Sequence, residues 1–430
     1  MVNDEDVQWL RTEAMKALMT NRQTGTAEWC GYDYDFSCPS NVTYPFQWFW
    51  DSCFHVVALS HLDPEMAKRE IRSLLVNQHD DGFISHITFW QREKFEAEVD
   101  TYAVAFRNYR LTDEMQPPLL MQAVSAIIEA DPDLEFLAEV LPKASRFYDW
   151  LDSVRVDPRD GLVRVFHPDE TGLDHSPKFD ELMQVEGPDL EDFSNAWYEL
   201  ADKYEAVDRD PKAMMELGHF VVADVMTNVI YIENLQLLAR LWKMLGEESN
   251  AGIYEERRSS AMSGLESMCW NSEDGLYYDI QGPNRTQVPV NTFTCLMPLF
   301  LADLPQERAS RLIDHILDPE EYWTPFPIPS VAANHPEFAP ATSGGILVWR
   351  GPTWVNSNWY LALGLLRHGR TDLAEHVAVM TLEAIRRSDF REYYNPYTGE
   401  GHGAPGFGWS TVIVDLFEQL SRAQEGSSAV

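Results

Sequence analysis

The chain has 430 residues, with 69 acidic against 33 basic side chains and a formal net charge of −36. Its 45% hydrophobic and 12% aromatic content describes an ordered protein with a large core, which excludes a disordered chain. The charge repels nucleic acid and anionic membrane surfaces before contact, so neither is an expected partner. In chain order, helical periodicity predicts helices over 4–20, 51–60, 64–77, 117–130, 134–154, 220–241, 249–268, 290–302, 306–317, 353–367, 372–387 and 409–420.

These helices fall into two kinds. Those over 51–60, 117–130, 220–241, 290–302, 353–367 and 409–420 are apolar on most sides. The others carry charge on one face. An all-round apolar helix is buried and a one-sided helix lies at the surface. Their near-alternation predicts an all-α fold, an (α/α)6 toroid of six inner and six outer helices, as one domain over 1–430. The turns Asp81-Gly82, Asp160-Gly161 and Asp274-Gly275 each follow a one-sided helix, and such pairs stop helices and turn the chain. Strand-like pieces over 84–89, 163–167 and 277–280 come next, so the long loops are expected on one face of the ring. The acidic stretch 184–210 reads as a lid or subdomain, spanning about 179–215.

Other features bound the setting. Five scattered cysteines, Cys30, Cys38, Cys53, Cys269 and Cys295, form no CxxC pair, and no metal, cofactor or disulfide framework is expected. No run of about 18 apolar residues offers a membrane span. The acidic start, Met1-Val2-Asn3-Asp4-Glu5-Asp6-Val7, lacks the pattern of a secretory leader, which makes a cytoplasmic protein the expectation. The eight lysines all lie at or before Lys243. A lysine-poor, acidic surface suits concentrated salt, where self-repulsion is screened.

Two loops carry candidate chemistry. Asp174 lies in Gly172-Leu173-Asp174-His175-Ser176-Pro177, where Gly and Pro can hold a carboxylic acid rigidly at a cavity mouth. Glu400 lies in the glycine-rich run Gly399-Glu400-Gly401-His402-Gly403-Ala404-Pro405-Gly406-Phe407. Glycoside hydrolysis needs one protonated and one ionised carboxyl group about the scissile bond, and Asp174 and Glu400 are the expected pair. Glu392 and Asp180 are the nearest rivals. A capping aspartate and a solvated loop glutamate are the ordinary alternatives.

Aromatic clusters open three inner helices. Tyr44-Pro45-Phe46-Gln47-Trp48-Phe49-Trp50-Asp51 opens the first, and Trp349-Arg350-Gly351-Pro352-Thr353-Trp354 the fifth, with Asn356 one turn in. Met115-Gln116-Pro117-Pro118 is placed likewise. Indole rings stack on sugar faces, while Asp, Arg and Gln bind hydroxyls. The expected binding residues are Tyr44, Trp48, Trp50, Asp51, Gln116, Gly172, Trp349, Arg350 and Trp354. The expected partner is a small carbohydrate, with room left for a homo-oligomer.

On these motifs, together with Asn395-Pro396-Tyr397-Thr398-Gly399-Glu400, Trp50-Asp51-Ser52 and Phe407-Gly408-Trp409, the chain resembles glycoside hydrolase family 63. The resemblance is to its bacterial and archaeal branch of α-glucosidases and glucosylglycerate or mannosylglycerate hydrolases. It covers nearly the whole length and implies inverting cleavage of an α-glycosidic bond, with Asp174 as general acid and Glu400 as general base. It further implies sugar contacts from Trp50, Asp51, Gln116, Trp349 and Trp354. Some glycerate-releasing members carry an Arg and a Tyr on a longer insertion after the acid motif, and 179–220 is too short and acidic to match them. The leaving group stays open between glycerate, glucose and a longer glycan. A trehalase-like hydrolase, an epimerase using paired histidines (His55, His86 and His175 are the candidates), a phosphorolytic enzyme and a sugar-binding protein on the same toroid are the rival readings.

Overall fold

Carboxylates and prolines set where the helices begin. Asp63 accepts the Met66 N–H at 3.0 Å and Pro64 takes the first position of Pro64–Val76. Asp133 accepts from Glu135 and Phe136 at the head of Leu134–Val154. Asp224 accepts from Thr227 at 2.6 Å to start Val225–Met244. Each side chain satisfies an amide that the first helical turn leaves without a partner. The computed structural model describes residues 4–98, 106–108, 110–185, 190–340 and 348–428.

Among the described residues, six inner helical segments close a ring. Phe49–Leu62 packs on Leu120–Ala130, which packs on Val225–Met244, which meets the 3-10 helix Phe293–Phe300. That segment packs on Val355–Arg367, and Gly408–Val412 with Ile413–Ser428 leads back to Phe49–Leu62. Asp4–Thr20, Pro64–Val76, Leu134–Val154, Glu248–Gly264, Gln306–Leu317 and Thr371–Ser388 pack on the outside of these. The result is an (α/α)6 toroid. Phe49–Leu62 is buried from Phe49 through Ser60, whereas Glu248–Gly264 buries only Ala251, Tyr254, Ala261 and Gly264. The expected contrast between inner and outer helices holds at these two.

The helix bounds depart from expectation at identifiable residues. Pro117 and Pro118 delay the second inner helix to Leu120. Residues Val222–Ala223 form a strand against Asp279–Gln281 before Asp224 starts the third. Pro298 lies within the fourth, which runs as a 3-10 helix. Gly82, Gly161 and Gly275 take left-handed φ angles of 102°, 73° and 76° after their aspartates.

Short sheets and bridges bind the loops at the ends of the inner helices. Gln47–Trp48, Ile87–Thr88, Leu111–Thr112 and Phe106–Asn108 form a four-stranded sheet in that order. Arg391–Tyr394 and Gly401–Pro405 form an antiparallel hairpin with Tyr394 opposite Gly401. Thr353, just before the fifth inner helix, bridges to both Pro329 and Tyr394, while Val165 bridges to Val222. The acidic stretch after Ser176 folds into short helices at Asp180–Met183, Leu190–Glu205 and Pro211–Leu217. Positions 186–189 of the expected lid lie outside the described residues.

Candidate active site

The loop carrying Asp174 is anchored beneath Trp50. Pro168–Thr171 forms one 3-10 turn, and Gly172 caps it in the left-handed region at φ 69°. A Cβ at Gly172 would lie 2.4 Å from the Trp50 indole, so only glycine lets the loop approach this ring. Trp50 is buried, and its amide donates to Gln116 Oε1 at 3.0 Å. Three of the expected residues therefore lock onto one another. Asp174 follows, partly exposed, with desolvation raising its pKa to about 6.

Opposite it lies a glutamate from the hairpin. Glu392 is buried in the strand Arg391–Tyr394, and its Oε2 accepts the Ala404 N–H at 2.8 Å. The Tyr44 hydroxyl lies 3.4 Å from Oε1. Desolvation pushes the Glu392 pKa up to about 7, against the Ala404 hydrogen bond, and the nearby charge of Asp174 raises it further. Asp51 feels the charge of Glu392 in turn. Its pKa is raised to about 7, chiefly by burial, with His55 pulling the other way. Asp51, Asp174 and Glu392 thus form one electrostatically linked set of carboxyl groups.

Glu400 is placed elsewhere. It is exposed at the end of the hairpin turn, where its amide donates to Thr398 Oγ1 at 3.2 Å and its carbonyl accepts from Asn395 at 2.8 Å. Gly399, at φ 71°, turns the chain against Phe326 just before it. Glu392 carries the burial and the carboxylate neighbours expected of the second group. A sequence signal for this exists: Asn395-Pro396-Tyr397-Thr398-Gly399 is a turn, so the residue after it sits at the hairpin tip. Residues of the preceding strand point back into the fold.

Aromatic side chains wall the set. Trp349 and Trp354 stack in parallel, with ring centroids 3.7 Å apart and 7° between planes. Trp409 meets Trp50 edge-on at 5.3 Å and Trp354 at 5.6 Å, and Tyr44 meets Trp48 and Phe407 edge-on. Trp349 is a non-glycine residue at φ 65°, a conformation that costs energy and is kept by its surroundings. The ring N–H groups of Trp354 and Trp409, and Oδ1 of Asp51, are buried without a protein partner.

Arg350 does not present a free guanidinium. It holds Asp180 through two hydrogen bonds, 3.0 and 2.5 Å, and lies 3.4 Å from Glu337. It also lies over the ring of Phe193. The acidic segment meets the loop of Asp174 through aromatic contact, since Trp197 stacks on His175 at 5.2 Å and Phe193 packs on its edge. Burial lowers the His175 pKa to about 4, keeping that ring neutral. These contacts have no spacing signature in the sequence.

Comparison with known proteins places this site in a lineage. The model of the mannosylglycerate hydrolase MGH1-like glycoside hydrolase domain matches residues 44–410. A mannosylglycerate hydrolase of Thermus thermophilus is 30% identical across 88% of this chain and 95% of its own length. A glucosylglycerate hydrolase of Mycolicibacterium hassiacum is 24% identical, covering 87% and 92% of the two chains. The crystal structure of a family 63 mannosylglycerate hydrolase from Thermus thermophilus, in complex with Tris and D-glycerate, superposes with a TM-score of 0.82 at 28% identity. The match covers 95% of this chain and 100% of that one. The chain belongs to glycoside hydrolase family 63, in its mannosylglycerate hydrolase-like branch, and is a glycoside hydrolase.

Proposed function

We propose that the chain hydrolyses the α-glycosidic bond of a small glycosylglycerate, mannosylglycerate or glucosylglycerate, with inversion, Asp174 acting as general acid and Glu392 as general base. The observation that carries the reading is the electrostatic pairing of Asp174 and Glu392 within the tryptophan-walled site. Burial raises both carboxyl groups, Asp174 to about 6 and Glu392 to about 7, and the charge of Asp174 raises Glu392 further, so the site holds a proton close to neutrality. Without substrate the higher value of Glu392 favours the proton there, so the assigned roles require Asp174 to hold it once the glycosidic oxygen is bound. Ionised Glu392 would draw a proton from water as the water attacks the anomeric carbon, while Asp174 protonates the leaving oxygen.

The remaining expected residues fit sugar binding. Trp354 and Trp409 offer ring N–H groups, and Asp51 offers an acceptor with one oxygen free of protein partners. Arg350, held by Asp180, serves the reading as a support for the lid. On the leaving-group side the reading assigns the glycerate carboxylate to Arg209 of the lid. Arg209 is anchored on Asp113 at 3.2 Å, and its second ion pair, to the exposed Glu205 at 3.2 Å, is the one a glycerate carboxylate would replace. Residues 179–215 then act as a lid on one catalytic domain over 1–430. The net charge of −36 and five free cysteines support a cytoplasmic setting rich in salt.

Incubation with mannosylglycerate, glucosylglycerate, kojibiose and trehalose, with and without phosphate, tests the proposal. Release of glycerate without phosphate is the expected result. Turnover of trehalose or kojibiose alone would replace glycerate with glucose as the leaving group. Phosphate-dependent release or epimerised substrate would overturn hydrolysis.

A further inference from the structure

Three acceptor side chains from two separate loops meet beside the acid loop in a manner that hydrogen bonding does not explain. Glu114 precedes the second inner helix, and His167 and Asp169 flank the start of the turn that leads to Asp174. Their ligand atoms all lie within 4.8 Å of one another. Glu114 and His167 are 6% and 4% exposed, and Asp169 is half-buried. His167 Nδ1 lies 3.7 Å from Glu114 Oε1 and 3.5 Å from Asp169 Oδ2. Glu114 Oε2, Asp169 Oδ1 and His167 Nε2 are buried with no hydrogen-bond partner.

The neighbouring Glu170 shows what a structural carboxylate looks like in the same turn. Arg155 grips it with two hydrogen bonds of 2.8 and 2.7 Å, and the Phe166 amide donates a third. No arginine or lysine does this for Glu114 or Asp169 among the described residues. Arg209, the nearby cation, gives its ion pairs to Asp113 and Glu205, both at 3.2 Å. Two buried carboxylates facing each other without a cation are unfavourable. Desolvation raises the pKa of both; Asp169 raises Glu114 further, with Arg209 opposing, and Asp174 and Glu170 raise Asp169.

We infer that Glu114, His167 and Asp169 form a binding site for one divalent transition cation, with Mn2+ and Zn2+ the best matches. Metal bonds of about 2.0–2.2 Å at tetrahedral angles set neighbouring ligand atoms about 3.3–3.6 Å apart. The observed 3.5 and 3.7 Å spacings are close to that range and beyond ordinary hydrogen bonds. Nδ1, the nitrogen nearest both carboxylates, accepts the Asp169 amide at 3.3 Å, a long hydrogen bond that the cation would displace from that lone pair. A mixed imidazole and carboxylate set favours Mn2+ or Zn2+ over Ca2+ and Mg2+, which take oxygen. The ligands lie at positions 114, 167 and 169, too irregular for a metal motif, and the sequence reading expected no metal.

The site's role is to hold the acid loop. Glu114 is two residues from Gln116, which fixes Trp50, and Asp169 is in the turn capped by Gly172. His167 packs on Trp197 of the lid at 5.4 Å. One cation would tie the second inner helix, the acid loop and the lid together, whichever glycoside is cleaved.

The test uses the full chain, stripped with EDTA and desalted into 0.5 M KCl to screen unspecific binding to the acidic surface. Calorimetric titration and thermal melts follow with MnCl2, ZnCl2, CaCl2 and MgCl2. The expected result is one tight Mn2+ or Zn2+ per chain and a higher melting temperature. Glu114→Gln and Asp169→Asn should each weaken that binding at least about tenfold. Both remove a repelling charge, so both should melt no lower than the stripped wild type, and a melt in EDTA verifies that they fold. No stoichiometric binding to the wild type would overturn the inference, as would equal binding to wild type and both variants. Should either variant fail to fold, the electron paramagnetic resonance of Mn2+ added to the wild type decides. Nitrogen coupling from one imidazole is expected, and a spectrum of fully hydrated Mn2+ overturns the site.

Discussion

Glu392 and Gly403 face each other across the hairpin so closely that a Cβ at Gly403 would lie 2.4 Å from Glu392 Oε2. Gly403 also holds φ 68°, which disfavours any side chain. The glycine run after Glu400 therefore shapes a cradle for a carboxylate eight positions earlier in the chain. Gly403→Ala should push the Glu392 carboxylate out of its hydrogen bond with Ala404. The expected outcome is a kcat loss of roughly ten- to a hundredfold, within what a misplaced catalytic group costs, with KM nearly unchanged. Steady-state kinetics beside a thermal melt checks this, and an intact kcat in a folded variant counts against the cradle.

Much of this was readable in the residues. The helices Asp4–Thr20 and Leu134–Val154 run over the predicted spans, because one-sided periodicity leaves little choice, and Asp133 caps the second. Gly172 and Pro177 predicted a constrained loop around Asp174, and the close approach of Gly172 to Trp50 is that constraint. Glu400 was named from glycine enrichment, which marks a close approach without naming the partner that approaches; in the structure that partner is Glu392. Glu392 lies in Arg391-Glu392-Tyr393-Tyr394, where strand alternation and the cross-hairpin bond to Ala404 decide its direction, and both depend on register. The contacts of Trp197 with His175 and of Glu114 with His167 depend on tertiary packing, so no local pattern announces them.

Acid-base linkage gives a stability prediction. Asp51, Asp174 and Glu392 have folded-state pKa values raised to about 7, about 6 and about 7, mainly by burial. Between about pH 4 and 7 the folded chain binds more of these protons than the unfolded chain, so their contribution to stability falls as pH rises. Asp174→Asn and Glu392→Gln cannot ionise there. Their melting temperatures should gain on the wild type from pH 5 to pH 8. A gap that stays constant or shrinks would contradict the raised values.

The stereochemistry of the product tests the second group's role. With Glu392 activating water, NMR of the first-formed sugar should show the β-anomer from an α-linked substrate. An initial α-anomer would point to a covalent route and remove Glu392 as a base.

Salt should stabilise the fold. The net charge of −36 stores self-repulsion at low ionic strength. Screening lengths fall from about 10 Å at 0.1 M to about 3 Å at 1 M. The melting temperature should rise between dilute buffer and molar KCl by more than for a near-neutral enzyme of the same fold. A flat response removes the high-salt setting and leaves the catalytic reading untouched.

Arg209→Met separates the two halves of the substrate. It should raise KM for a glycosylglycerate while leaving KM for any neutral glucoside that is turned over within about twofold, since rim charges act on charged partners. Equal effects on both would withdraw Arg209 from glycerate binding.

The most direct test sets Glu392→Gln beside Glu400→Gln and Asp174→Asn, each assayed on the glycosylglycerate that the wild type cleaves fastest. Loss of a general acid or base costs roughly 10²–10⁴ in rate. The account predicts that loss for Glu392→Gln and Asp174→Asn, and activity within about threefold of wild type for the exposed Glu400→Gln, far below the range for a catalytic group. A Glu400→Gln variant that is folded and inactive, beside a Glu392→Gln variant that still turns over, would contradict it.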